Sequence, residues 1–328
     1  MSEGRDRSGA ELDLERLLLG EEPALTAAEV ATQAGVPLEQ AKRLWRTFGF
    51  PEHDEVAYTN ADVEALRTIA GVMTDGLVDL DVTLNITRGV GLTMARLADW
   101  EVGALVQRLE DVLELSGRPD DRLAAASWLL EKYGDGFERL LIYAWRRHLS
   151  AAIARMESVR AIDEDPRTTD LTVGFADIVG FTSLSNEVSR EKIGDLVELF
   201  EARCGDVIAA HHGRLIKSMG DAVLFVNNDA LGAFGTAEGI INVIGRDSRM
   251  PDVRVGLASG SVVMRLGDVF GPPVNLASRL TQVARRNRII VDGATAGLLP
   301  ADLVETRPLP PRPVRGFGVV EPVAVRRQ

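Results

Sequence analysis

The chain has 328 residues, 45% hydrophobic and 26% charged, which excludes a disordered or low-complexity polypeptide and leaves room for about two domains with cores of their own. Lys and Arg number 37 against 49 Asp and Glu, and the net charge of −12 disfavours non-specific nucleic-acid binding because most of the surface repels phosphate backbones. A single cysteine, Cys204, excludes an internal disulfide and a thiolate metal cluster and fits a reducing compartment. The N-terminus, MSEGRDRSGAELDLERL, is charged from the start and lacks the apolar core of a signal peptide. No uninterrupted apolar run of about 18 residues occurs, so the expectation is a cytoplasmic protein without a membrane span.

Residues 11–160 are rich in Leu, Ala, Glu and Arg at helical spacing. Val102, Leu105, Val106, Leu109, Val112 and Leu113 form an apolar stripe of the kind an amphipathic helix buries. Phe137 to Arg160 is a second long helical run, with Leu140, Leu141, Ala144, Trp145, Leu149 and Ile153 on one side and arginines on the other. Residues 1–160 are therefore expected to form an all-α domain. Residues 161–170, AIDEDPRTTD, are acidic, contain Pro166 and little apolar content, and read as a linker.

From residue 171 to 328 the texture changes. LTVGFADIV is a near-continuous apolar run of strand type, bounded by Asp170 and Gly180. A helix pattern covers about 191–210, followed by the β-like runs RLIKS and AVLFVNN joined across MGD. Another helix fits 229–246, then the strand VRVGLASGSVV, a helix from about Val274 to Ala284, and the strand RIIVD before a Pro-rich tail and VVEPVAV. The order β-α-β-β-α-β predicts a ferredoxin-like domain with additions, so the fold class is α+β with a helical first half.

Asp177 closes the buried strand, where a carboxylate is costly unless it meets a cation, although a turn or helix cap would explain it as well. The GFTSLS segment after it brings backbone N–H groups at Phe181 and Thr182 into a helix start, a setting suited to phosphate oxygens. Asp221 lies in SMGDAV at the hairpin tip, where Gly-Asp is also an ordinary turn pair. Two carboxylates on adjacent strand ends suit Mg²⁺, which takes one or two carboxylates plus phosphates. Lys217 precedes Asp221 on the same hairpin, and Asp268 lies in GDVFGPPVN. Asn275 and Arg279 share one helix face in VNLASRL, a helix whose Val274, Leu276, Ala277 and Leu280 would be buried without any chemistry.

Taken together these motifs resemble the class III nucleotidyl cyclases over about residues 171–328. FADIVGFT is similar to the first metal-aspartate motif, GRLIKSMGDAVLFV to the hairpin with the purine-reading lysine and second metal aspartate, and DVFGPPVNLASR to the segment with purine-reading, ribose-orienting and transition-state residues. The resemblance implies that Asp177 and Asp221, with the Ile178 carbonyl, hold two divalent cations, Mg²⁺ or Mn²⁺. It implies that Arg279 stabilises charge on the α-phosphate and that Asn275 orients the ribose. It also implies a homodimer in which one subunit gives Asp177 and Asp221 and the other gives Lys217, Asp268, Asn275 and Arg279. Base choice follows from chemistry: adenine offers an acceptor at N1 and a donor at N6, guanine reverses both, Lys217 can only donate and ionised Asp268 can only accept. The expected substrate is ATP and the expected product 3′,5′-cyclic AMP. Arg288 and Arg315 are further candidates for the triphosphate, whereas His211 and His212 read as structural. A diguanylate cyclase would need a Gly-Gly-Asp/Glu-Glu-Phe turn where this chain has Ser-Met-Gly-Asp-Ala, and is rejected.

In the first half, TAAEVATQAGVPLEQAKRLWRTFGF followed by YTNADVEALRTI resembles a MerR-type helix-turn-helix at about 26–70. Its seven acids outnumber its four bases, Lys42, Arg43, Arg46 and Arg67, so a packing or dimerising module is favoured over a DNA reader. The arrangement is similar to actinobacterial cyclases whose helical N-terminal domain restrains the catalytic dimer and in some members responds to acid pH or fatty acids. That leaves room for a small-molecule or lipid effector, and makes His148 and the acids near 161–170 candidate acid sensors. The alternative is a nucleotide-binding regulator with little turnover whose first half contacts DNA or a partner.

Overall fold

The computed structural model describes residues 16–328 apart from 54–55, 75, 77, 107–112, 114–121, 161–167 and 266. The apolar stripe through Leu109 and Val112 and most of the 161–170 segment lie outside the described residues. The chain separates into two compact units, Met1–Ala154 and Arg155–Gln328.

The first unit is helical: α1 (Ala27–Ala34), α2 (Leu38–Phe48), α3 (Asn60–Thr74), α4 (Leu80–Val106) and α5, Arg122–Arg160, which runs on past the unit boundary. Thr26 and Glu29 form a reciprocal capping box that starts α1, and Gly35 and Gly49 end α1 and α2 in the left-handed conformation. The apolar faces of α1–α3 meet in a small core of Val30, Ala31, Ala41, Leu44, Val63 and Leu66. Trp45 closes it by stacking on Tyr58 at 4.4 Å. Of the bases on the helix-turn-helix segment, Arg46 is already paired with Glu52 at 2.7 Å. Helix α5 starts at Arg122, well before Phe137. Gly134 and Gly136 suggest a break there, but each glycine costs only about 1 kcal/mol against Ala, less than the surrounding Leu, Ala, Glu and Lys supply together. Trp145 and Leu149 are exposed on α5, as is His148.

The second unit is built on β1 (Thr168–Ile178), α6 (Phe181–Glu187), α7 (Arg190–Ala210), β2 (Arg214–Ser218), β3 (Ala222–Asn227), α8 (Ala230–Arg246) and β4 (Val253–Arg265). The sheet order β2-β3-β1-β4 with α7 and α8 is the βαββαβ arrangement. The additions are β5 (Asp268–Phe270), α9 (Pro272–Val283), β6 (Ile289–Val291), α10 (Gly293–Leu298), β7 (Val304–Pro308), β8 (Arg312–Val314), β9 (Gly318–Val320) and β10 (Val323–Arg327). They extend the sheet as β4-β6-β10-β7, with β5 on β4 and β8-β9 as a separate hairpin.

Strand β1 reads as an unbroken apolar run because both of its faces are covered. On one face Ala176 and Ile178 join Phe200, Phe225, Phe234 and Ile240 under α7 and α8. On the other, Val173 and Phe175 join Leu224, Ala258 and Leu280 under α9. Cys204 is buried in the first of these cores, where desolvation, with Glu201 adding to it, pushes its thiol up. His211 sets its ring against Gly235 and Gly239 of α8 and its carbonyl accepts from Asn227 Nδ2 at 3.1 Å, a structural role.

Strand β1 also takes in Thr168–Asp170, which pair with Val263–Ser261 although the sequence assigns them to the linker. Their polar side chains hide a strand start that is only partly covered. Helix α9 begins at Pro272 rather than Val274, since proline fits the first turn, where its missing N–H and fixed φ cost nothing. The C-terminal strands are hidden by Pro308, Pro310, Pro311 and Pro313. Those prolines are tolerated because β7 is an edge strand and β8 pairs on one side alone.

Gly256 of β4 lies where the backbone of α9 crosses the sheet: a Cβ there would strike the Ala277 carbonyl oxygen and the Thr281 amide. Gly256→Ala is expected to lower stability by about 2 kcal/mol, because backbone on both sides leaves nothing flexible to move. Urea unfolding checks this, and an unchanged midpoint would show that α9 has room to slide.

Candidate active site

Asp177 is the last residue but one of β1, in register with Ala222 of β3 and Arg254 of β4. Asp221 sits in the β2–β3 turn, directly after Gly220, whose φ of 73° is the left-handed value that the turn requires. The turn is tied to β1 by the Ile178 N–H donating to the Asp221 carbonyl at 2.9 Å. The two aspartates thus meet at adjacent strand ends.

Burial raises the Asp177 carboxyl above the ordinary carboxylate range, the Arg254 guanidinium pulls it down, and the charge on Asp221 adds to the rise. Arg254 holds the Asp177 carboxylate through Nε at 2.7 Å and Nη2 at 2.5 Å. Two carboxylates and a backbone carbonyl form a hard oxygen donor set, which fits Mg²⁺ or Mn²⁺ and not a soft metal. Among the described residues no group of three or more His, Cys, Asp or Glu side chains could hold a metal.

Lys217 follows a register shift in the β2–β3 pairing between Leu215 and Lys217, and such bulges re-aim the side chains beside them. Its Nζ reaches Asp268 Oδ2, at the start of β5, at 2.5 Å. Burial pushes the Asp268 carboxyl up, but the Lys217 ammonium and the Val269 N–H, 2.8 Å away, outweigh it and hold the group below the usual range. The Asp268 carboxyl is therefore ionised at neutral pH, an acceptor beside the Lys217 donor.

Asn275 and Arg279 lie one turn apart on α9 and line an open groove of about 860 Å³ together with Gly271, Pro272, Arg315 and Phe317. Pro272 and Pro273 form the first turn of that helix and so set the direction in which Asn275 leaves it. Arg315 enters from the turn between β8 and β9. The structure therefore joins Arg315 to Asn275 and Arg279, whereas Arg288 lines a different groove. The Asn275–Arg279 groove contains none of Asp177, Asp221, Lys217 or Asp268. Within one chain the candidate residues form separate groups: the aspartates with Arg254, the Lys217–Asp268 pair, and the α9 groove.

Phe181 packs its ring against the core under α7 and α8, so only its backbone is available to a ligand, while Thr182 is exposed in the first turn of α6. Arg254 is the residue that sequence reasoning missed. Its signal was present: an arginine between Val253 and Val255 in a buried strand must find an anion.

Residues 164–325 match the adenylate and guanylate cyclase catalytic domain. An adenylate cyclase of Streptomyces coelicolor is 37% identical, over 97% of this chain and 90% of its own length. A pH-sensitive adenylate cyclase of Mycobacterium tuberculosis is 30% identical, over 95% of this chain and 81% of its own. The crystal structure of the catalytic core of a rhodopsin-guanylyl cyclase with converted specificity, in complex with ATPalphaS, aligns with 49% of this chain and 97% of its own at 25% identity and a TM-score of 0.46. The sequence likeness runs through both halves, and the chain belongs to the class III nucleotidyl cyclases, among the adenylate cyclases.

Proposed function

We propose that the chain converts ATP to 3′,5′-cyclic AMP and pyrophosphate in the cytoplasm, at two equivalent sites shared between two copies of the chain, under the control of its helical first half. The separation of the candidate residues into distinct groups within one chain carries this reading. One chain supplies Asp177, Asp221 and Arg254; the other brings Lys217, Asp268, Asn275, Arg279 and Arg315. Two-fold symmetry then makes both sites alike.

Asp177, Asp221 and the Ile178 carbonyl would hold two divalent cations. When bound, these supply the positive charge that favours ionisation of the ribose 3′-hydroxyl and grips the triphosphate. Lys217 donates to adenine N1 and Asp268 accepts from N6. Asn275 fixes the ribose so that its 3′-oxygen faces the α-phosphate, a gain of orientation rather than of chemistry. Arg279 meets the charge that develops on the α-phosphate oxygens, where a fixed guanidinium fork is most effective. Arg315 faces the β- and γ-phosphates and the leaving pyrophosphate, while Arg254 holds the Asp177 carboxylate in place.

The name of the Mycobacterium tuberculosis relative, a pH-sensitive adenylate cyclase, together with a likeness that includes the first half, supports pH as a stimulus. His148, exposed on α5, is one candidate group, and DNA binding is disfavoured by the scarce and partly paired bases of the helix-turn-helix segment.

The test is cyclic nucleotide production from ATP and from GTP, with Mn²⁺ and with Mg²⁺, by the full chain and by residues 155–328, across acid to neutral pH. Cyclic AMP from the full chain, with a pH-dependent difference from the shorter unit, is expected. No cyclic nucleotide from either would overturn the catalytic reading, and identical pH profiles would overturn the regulatory one.

A further inference from the structure

Past the C-terminal end of α9 a second groove, about 770 Å³ in volume, opens beside β6, β10 and β7. Ile290, Ala324, Leu309 and Pro310 give it apolar surface, and Arg285, Arg286, Arg288, Arg307, Arg312 and Arg326 line it as well. Glu305 is the one acidic residue in the lining, and Arg326 holds it at 2.6 Å. Arg286 reaches Asp252 at 3.4 Å. Among the described residues Arg285, Arg288, Arg307 and Arg312 have no carboxylate partner, although acids outnumber bases in the chain as a whole.

Simpler roles account for part of this cluster. Arg285 and Arg286 follow the C-terminus of α9 and complement its dipole. Arg307, on the edge strand β7, discourages pairing with another sheet. Neither role explains why cations from the α9 exit, the approach to β6, β7 and β8 converge on one apolar-floored groove. Unneutralised guanidinium groups that converge are suited to phosphate oxygens, which they grip in pairs of parallel hydrogen bonds. The volume is that of a small-molecule site, and apolar surface between the cations suits a ligand with a non-ionic body.

We propose that this groove binds an organic polyphosphate, with its phosphates on Arg288, Arg307 and Arg312 and its body on Ile290, Ala324 and Leu309. The groove shares no lining residue with the groove of Asn275, Arg279 and Arg315, and it needs no metal. The two are nonetheless mechanically close: Arg312 and Arg315 belong to one hairpin, and Arg285 follows the helix that carries Arg279.

The test is calorimetric titration of the full chain with ATP, with inorganic tripolyphosphate and with phosphatidylglycerol vesicles, in EDTA at low salt. ATP is expected to bind once per chain. Arg307→Gln/Arg312→Gln should weaken it by about tenfold or more, as expected for loss of charge-assisted bonds, while keeping near-normal cyclase turnover with metal. Arg279→Ala/Arg315→Ala should leave the EDTA titration unchanged, and tripolyphosphate should bind more weakly than ATP. The proposal is overturned if ATP does not bind in EDTA, if the groove variant binds as the parent does, or if only the Arg279→Ala/Arg315→Ala variant loses binding. Tripolyphosphate binding as tightly as ATP, or binding to vesicles alone, would overturn the organic polyphosphate as its ligand.

Discussion

Chains carrying Asp177→Asn and chains carrying Arg279→Ala are each expected to be inactive and to regain activity when mixed. Asn keeps the size of Asp177 but removes its charge, so the oxygen donor set loses half of its carboxylates. Arg279→Ala removes the guanidinium that meets charge in the transition state, an effect on the order of 10² to 10³ in turnover for a comparable donor. If each site takes Asp177 from one chain and Arg279 from the other, a mixed dimer has one doubly damaged site and one intact site. Random pairing makes half of the dimers mixed, so an equimolar mixture should recover about one quarter of the parental rate. Cyclic AMP production against mixing ratio measures this. Absence of recovery, with mixed dimers demonstrated by differential tags, would place all the catalytic residues of a site in one chain.

The second large effect concerns the base. The parent chain should prefer ATP to GTP, and Lys217→Glu/Asp268→Ser should invert that preference. Guanine offers a donor at N1 and an acceptor at O6, which the Lys217–Asp268 pair meets with a donor and an acceptor in the wrong places. A site built to hydrogen-bond its substrate can reject a mismatched one by 10⁴ or more. Here the side chains are 36% and 28% exposed, so water repairs part of each mismatch. A discrimination of about a hundredfold in kcat/KM is therefore expected, below that ceiling. The single variant Lys217→Glu should be worse with both nucleotides, because it sets two carboxylates against each other. Comparable use of ATP and GTP by the parent would remove the Lys217–Asp268 pair from the specificity argument.

Much of the candidate site was legible in the sequence because its motifs are short: Lys217 and Asp221 share one hairpin, Asn275 and Arg279 share one helix, and Asp177 closes an apolar run that reads as a buried strand by itself, although its pairing with the hairpin strand β3 is long-range. What it withheld depends on distant pairing. Arg254 acquires its meaning from a register with Asp177, 77 residues earlier in the chain. Arg315 could not be assigned by spacing, since the prolines on either side of Arg312 concealed the hairpin that carries it. Arg288, close to Arg279 in sequence, is carried to another groove by the turn after α9. The fold followed the same rule: β1 to β4 were visible as apolar runs, while β7 and β8 were masked by prolines that strands paired on one side tolerate and central strands do not.

The Lys217–Asp268 pair has one more consequence. A donor set beside an acceptor at bonding distance reproduces the face that thymine turns toward adenine in a duplex. The protein has assembled this counterfeit base edge from two strands, with its members already joined at 2.5 Å. On the proposed reading of the purine by this pair, the reader needs no rearrangement, and the binding free energy that an induced fit would consume remains for aligning the sugar with the phosphate.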